Sequence, residues 1–163
     1  MKSSKKQGTS AQQVSKRTTG RRTSTLSDKT PTNVLARDKI TTEEMSRIAR
    51  HGVSGEEIQY MVDKKLATAK DLAYVLGVNE RTVRTYQREA SNLSPQQSEQ
   101  LLKYNRLLGR GKEVFGSEEA FNRWLRKPAY GLDNDVPLAY LVTSEGINLV
   151  SDEVERIANG EFA

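Results

Sequence analysis

Side chains able to cap helix N-termini recur along this 163-residue chain at short intervals, and that recurrence constrains the fold more than any other feature. Thr41 is followed by Glu44, Ser54 by Glu57 and Thr68 by Asp71, each acid standing three residues after its hydroxyl. In that spacing the hydroxyl and the carboxylate each satisfy a free N–H of a first helical turn. Asn79, Ser94 with Pro95, Ser117 with Glu118 and Glu119, and Thr143 with Ser144 mark further starts. Gly52, Lys64 with Lys65, Gly77, the pair Gly109 and Gly111, Pro128 and Gly160 stand where these helices should stop. Between starts and stops the apolar residues fall at helical intervals: Met45, Ile48 and Ala49; Ile58, Met61 and Val62; Leu72, Ala73, Val75 and Leu76. The pattern continues with Leu101, Leu102, Tyr104, Leu107 and Leu108; Phe121, Trp124 and Leu125; and Ile147, Val150, Val154 and Ile157. A polar turn, GLDNDVP, precedes a further short apolar helix at Leu138, Ala139, Leu141 and Val142. No stretch alternates apolar and polar residues over a strand length, so the expected class is all-α.

Charge divides the chain into unlike parts. Residues 1–39 hold 10 Lys plus Arg against 2 acids, residues 40–95 hold 8 and 8, and residues 96–163 hold 8 and 11. The first part interleaves its bases with Ser and Thr, and its scattered apolar residues (Val14, Leu26, Val34, Leu35) bury too little surface to offset the entropy of ordering. Residues 1–39 are therefore expected to be a disordered basic tail, followed by a helix-turn-helix domain over 40–93 and a helical C-terminal domain over 94–163. Two readings of the tail stay open: a nucleic-acid arm in which Lys5, Lys6, Lys16, Arg17, Arg21 and Arg22 follow phosphates, or a solubilising extension.

The chemistry available is limited. There is no cysteine and one histidine, His51, so a thiol nucleophile, a disulfide frame and a multi-histidine metal site are excluded. His51 beside Gly52 fits a helix end, and Asp133, Asn134 and Asp135 fit a turn better than a cation loop. No cofactor, no metal and no catalysis are expected. No apolar run has the length of a membrane span, which points to a cytoplasmic protein, nucleoid-associated when bound to DNA.

The most specific local pattern is AKDLAYVLGVNERTVRTYQR, residues 69–88. Ala73, Gly77, Val78 and Val83 stand where two steeply crossing helices need a small residue, a turn glycine and apolar closure. With Val83 and Tyr86 inward, Asn79, Arg81, Thr82, Arg84, Thr85 and Arg88 are left for a major groove, arginine suiting guanine and Thr or Asn suiting phosphate or adenine. A helical hairpin with a solvated Arg-rich face fits the same residues, and the neutral charge of 40–95 favours it.

The stretch AFNRWLRKPAYGLDNDVPLAYLVTSEGINLVSDEVERIANGEFA, residues 120–163, resembles the C-terminal toxin-binding domain of the Xre/MbcA/ParS antitoxins. The resemblance rests on Trp124-Leu125 before Pro128, Gly131-Leu132, Pro137-Leu138, Thr143 with Gly146, and Ile157, Gly160 and Phe162. Residues 48–88 resemble the Xre-type helix-turn-helix half. The resemblance implies a type II antitoxin without catalysis, whose partner is a RES-domain toxin that consumes NAD or uses it as an ADP-ribosyl donor. It also implies operator double-stranded DNA as a second partner, a homodimer within a toxin–antitoxin hetero-oligomer, and a C-terminal end that enters the toxin's active site. The matching positions are Gly160, Glu161, Phe162 and Ala163, although a plain helix end with Gly160 as its cap reads the same way. A helix-turn-helix regulator without a toxin, and an antitoxin whose helix-turn-helix only dimerises, are the other functions the residues allow.

Overall fold

A computed structural model of the protein describes residues 34–37 and 40–161. Most of the basic tail, together with Phe162 and Ala163, lies outside the described residues. The elements are α1 (Thr42–His51), α2 (Gly55–Asp63), α3 (Ala69–Leu76), α4 (Glu80–Glu89), α5 (Pro95–Phe115), α6 (Glu118–Trp124) and α7 (Ser144–Ala158). Short 3-10 helices stand at Val34–Ala36, Tyr130–Leu132 and Pro137–Val142. Among the described residues there is no strand beyond one isolated bridge between Ser54 and Asn92, so the class is all-α.

The caps read from sequence form as hydrogen bonds. Thr41 and Glu44, and Thr68 and Asp71, are reciprocal capping boxes; Asn79 accepts from the Thr82 N–H and Ser94 from the Gln97 N–H. Gly52 and Gly77 close α1 and α3, and His51 is the last residue of α1.

Five local expectations are corrected. The Ser54–Glu57 box does not form: Ser54 accepts from Glu56, while the buried Glu57 accepts at 2.7 Å from the Val34 N–H and at 3.2 Å from the Leu35 N–H. Val34 and Leu35 are consequently core residues, so the unpacked tail does not extend to Val34–Ala36. The third correction concerns α5, which does not stop at Gly109 or Gly111 but continues to Phe115. Each glycine costs about 1 kcal/mol in a helix interior, yet Gly111 is the only residue type that fits, since a Cβ there would enter the ring of Phe121. Finally, the segment Pro137–Val142 is 3-10 helical, and α6 stops at Trp124, short of Pro128.

α5 is the spine, about 31 Å long at 1.5 Å per residue. It packs against α1 and α3 of the N-terminal half and against α6 and α7 of the C-terminal half. One buried cluster runs from Val34 to Val154 and includes Ile58, Met61, Leu72, Leu101, Tyr104, Leu107, Phe121, Leu141 and Ile147. Phe115, Phe121 and Trp124 pack together with centroids 5.1–5.7 Å apart, Phe121 stacked on Trp124 and Phe115 tilted against both, so Trp124 is a packing residue, as its spacing implies.

Candidate DNA-contacting and toxin-binding surfaces

The turn between α3 and α4 follows from Gly77. Its left-handed backbone (φ +63°) lets the Gly77 N–H bond Tyr74 O and the Val78 N–H bond Ala73 O, a glycine-dependent helix ending. Two residues later Asn79 Oδ1 accepts from the Thr82 N–H at 2.8 Å and starts α4. Val83 is fully buried and Tyr86 is half-buried, its hydroxyl donating to Gln97 at 3.3 Å.

At 100° per residue, positions 81, 84, 85 and 88 share the side of α4 opposite Val83 and Tyr86. Arg81, Arg84 and Arg88 are exposed there. The remaining positions are already engaged. Asn79 caps the helix, the Thr82 hydroxyl donates to Asn79 at 3.1 Å, and the Thr85 hydroxyl donates to Arg81 O at 3.0 Å. Arginine charge is also partly offset on the same helix: Arg84 stands 3.6 Å from Glu80 and Arg88 2.8 Å from Glu89. These acids were not singled out from the sequence, although the i,i+4 spacing of Glu80 and Arg84 would have shown the first pair.

The C-terminal half carries apolar side chains that none of the described residues covers. Among the described residues the large exposed hydrophobics are Tyr74, Tyr130, Val142 and Leu149, and three of the four belong to the segment after α6. α7 is held by bonds from both sides. The Glu153 carboxylate, bonded to Arg156 at 2.8 Å, sits against Gly131, and a Cβ on Gly131 would collide with it. Arg110 grips Glu155 through two hydrogen bonds of 2.8 and 2.9 Å, which lowers the Glu155 pKa. On the other side, Ser144 at the start of α7 joins Lys103 and Glu99 of α5.

The end of α7 is a glycine cap. Gly160 has φ +73°, its N–H bonds Ile157 O at 3.0 Å, and the Glu161 N–H bonds Arg156 O at 2.9 Å. Gly160 and Glu161 are exposed, so the structure brings them to the surface at the tip of α7; Phe162 and Ala163 fall outside the described residues.

Two family models match, in the order the helices suggest. Residues 44–106 match the antitoxin Xre-like helix-turn-helix domain. Residues 110–160 match the antitoxin Xre/MbcA/ParS C-terminal toxin-binding domain. The chain belongs to the Xre/MbcA/ParS-type antitoxins. As such the antitoxin carries a DNA-binding module and a toxin-binding module, which imply DNA and a toxin as partners. The two matched spans meet within α5, between residues 106 and 110, in the middle of one continuous helix. No curated protein sequence matches the chain. No helix among the described residues is long and apolar enough to cross a membrane.

Proposed function

We propose that the antitoxin neutralises a RES-domain, NAD-consuming toxin and represses its own operon by binding operator DNA, acting as a homodimer within the toxin–antitoxin assembly. The observation that carries this reading is the succession of the two matched domains on one spine helix, with exposed apolar residues gathered on the second. In this reading residues 40–93 serve the DNA and residues 94–163 the toxin. Tyr130, Val142 and Leu149 supply exposed apolar area of the kind a protein interface buries. Gly160, Glu161, Phe162 and Ala163 then enter the toxin's pocket. A dinucleotide site offers cationic donors for phosphates and apolar walls for rings, so a carboxylate and an aromatic ring suit it. The cap at Gly160 turns the chain away from the helix axis at that point, which supports a protruding end.

On the DNA side Arg81, Arg84 and Arg88 contact base edges or phosphates, and Asn79, Thr82 and Thr85 act through the start of α4, where they hold its backbone. The pairing of Arg84 and Arg88 with Glu80 and Glu89 favours a second reading, in which the helix-turn-helix serves dimerisation only.

One co-expression experiment tests both halves. With the partner toxin, the intact antitoxin keeps cellular NAD high. Removal of residues 160–163 preserves the copurifying complex and restores NAD consumption; full inhibition by the shortened chain would refute the plug. Replacement of Arg81, Arg84 and Arg88 by Ala abolishes gel-shift retention of the DNA upstream of the operon and leaves neutralisation intact. Unchanged retention would show that α4 is not the DNA face.

A further inference from the structure

Between α6 and the Pro137–Val142 helix the chain closes on itself and holds one large ring in solvent. Tyr130, at 70%, is the most exposed large hydrophobic among the described residues. Its hydroxyl makes no hydrogen bond, and its ring no ring contact, among those residues. The residues beside it are fastened down. Ala129 and Leu132 are buried, and Gly131 presses so closely on the Glu153 carboxylate of α7 that a Cβ would not fit.

The loop is closed by its own backbone. The Ala129 N–H donates to Asp135 O at 3.0 Å, and Ala129 O accepts the Leu132 and Asn134 N–H groups, each at 3.1 Å. The Asp135 N–H donates to Leu132 O at 2.9 Å, and the Tyr140 hydroxyl donates to the Asp135 carboxylate at 2.9 Å. Asp133 and Asn134 are both left-handed, with φ +54° and +63°, a conformation that residues other than glycine keep where the surroundings over-determine it. A ring on a base fixed in this way loses little freedom when a partner covers it, and Tyr offers a large contact area for few rotatable bonds. The foot of the loop is tied to the end of the chain as well. Glu153 accepts from Arg156 at 2.8 Å, and Arg156 O accepts the Glu161 N–H at 2.9 Å. From Glu153 to Gly160 the chain advances about 10 Å along the axis of α7. Leu149, 51% exposed, stands one turn before Glu153 on the same face of that helix.

We propose that Tyr130 is a preorganised aromatic anchor for the toxin, filling an apolar slot whose rim carries Lys or Arg. The toxin is the occupant because the loop lies inside the span matched to the toxin-binding domain and is built onto the helix that leads to Gly160. The basic rim follows from charge. Residues 96–163 hold 11 acids against 8 Lys plus Arg, and Asp133, exposed in the same loop, has no ion pair among the described residues. The proposal rests on the toxin-neutralising reading above and divides it: Tyr130 supplies affinity, and residues 160–163 supply inhibition.

The test is surface plasmon resonance of the full-length antitoxin on its partner toxin, paired with the toxin's consumption of NAD. Tyr130→Ala lowers affinity about thirtyfold or more, chiefly through faster dissociation, as loss of a central aromatic anchor does. At saturating concentration the same variant still stops NAD consumption, because residues 160–163 are intact. The chain lacking residues 160–163 does the reverse: it stays bound and does not inhibit. Tyr130→Phe keeps its affinity within about twofold of the parent, since the ring still fills the slot. Circular dichroism gives the parent Tm for Tyr130→Ala, the ring being exposed; a Tm that fell with the affinity would make Tyr130 a structural residue and overturn the proposal.

Parent affinity in Tyr130→Ala, with the parent itself bound, overturns the anchor and leaves the antitoxin reading standing. An intact antitoxin that does not bind the toxin overturns both. Lost inhibition at saturation would put Tyr130 in the plug and overturn the division, and a Phe variant as weak as the Ala variant would overturn the apolar slot. Asp133→Asn tests the rim, since Asn tolerates the left-handed backbone at that position. It slows association about two- to fivefold at low salt and matches the parent at high salt. Association that ignores both the substitution and the salt overturns the basic rim.

Discussion

A Cβ on Gly55 would collide with the carbonyl oxygen of Tyr86, and one on Gly111 would enter the ring of Phe121. In both places the constraint is missing volume, since neither glycine has a positive φ. Gly55 is the first residue of α2 and Tyr86 lies on α4, so the contact sets how closely the recognition helix seats against its support. Backbone cannot swing aside as a long side chain can. Gly55→Ala is therefore expected to push α2 and α4 apart at about 1–3 kcal/mol, the usual range for overpacking. For a chain of this size that corresponds to a drop in Tm of roughly 2–12 °C, at about 2–4 °C per kcal/mol, readable by circular dichroism. An unchanged Tm would show that the two helices separate freely. Neither glycine could be assigned this role from sequence, because the partner that forbids a side chain lies ten or more residues away. Gly77 and Gly160 were readable: their roles are local, fixed by the end of their own helix and a left-handed φ.

The same division between local and distant causes governs the elements. Thr41, Thr68, Asn79 and Ser94 cap the helices they were expected to cap, because a cap is closed within three residues. The Ser54–Glu57 pair has the same spacing and fails, since the Val34 and Leu35 N–H groups claim the carboxylate from across the fold. The sequence signal was correct in kind and lost to a tertiary competitor. α5 was under-read for a similar reason: Gly109 and Gly111 look like a stop until α6 and α7 pack against the helix that contains them. The attachment of α7 to α5 has an electrostatic part with a definite sign. Hydrogen bonds from Lys103 and Ser144 hold Glu99 below the usual carboxylate range, and those from Arg110 do the same for Glu155. A carboxyl whose folded pKa lies below its unfolded one binds more protons when unfolded. Its contribution is complete above the unfolded value, near 4.5 for the free group, and disappears as pH falls through the folded value. Tm should fall on acidification below about pH 5. In Glu155→Gln the fall should be shallower, with a lower Tm at neutral pH; parallel curves would remove Arg110–Glu155 from the account. Both carboxylates are largely solvated, so the difference is expected to be small and to shrink with added salt.

At the scale of the molecule the two functional halves share a core. α5 begins in one matched span and ends in the other, and the segment after α1 depends on it: the fully buried Val53 N–H bonds the fully buried Ser98 hydroxyl at 2.8 Å. Arg126, just past α6, reaches back to Asp71 of α3 at 2.8 Å, where the Asp71 carboxylate already completes the capping box of α3. Tyr104, 1% exposed, lies near both charges, and burial raises its pKa far above the ordinary value, so it stays neutral. The Pro137–Val142 segment also packs on α3. None of these links is visible along the chain, because each pairs residues more than twenty positions apart and no periodicity records such a pair. They bear on a division at residues 93 and 94, which places the caps on the correct sides and separates α1 and α3 from the helix that covers them. Met45 and Ile48 are 5% and 7% exposed in the intact chain. Burial of such side chains contributes about 1.5–3 kcal/mol each, against a total stability of about 5–15 kcal/mol for a typical domain. A chain ending at residue 93 loses that cover, the Ser98 partner of Val53 and the Arg126 partner of Asp71 together. It should show no cooperative thermal transition, whereas the intact antitoxin should melt in a single calorimetric step with equal van't Hoff and calorimetric enthalpies. If residues 1–93 melted cooperatively, or the intact chain in two steps, α5 would belong to the toxin-binding half alone. The helix-turn-helix would then be independent of whatever seats on α7. With one transition, a toxin that stabilises the C-terminal half stabilises the DNA-binding half by the same linkage, with no contact between toxin and α4 required.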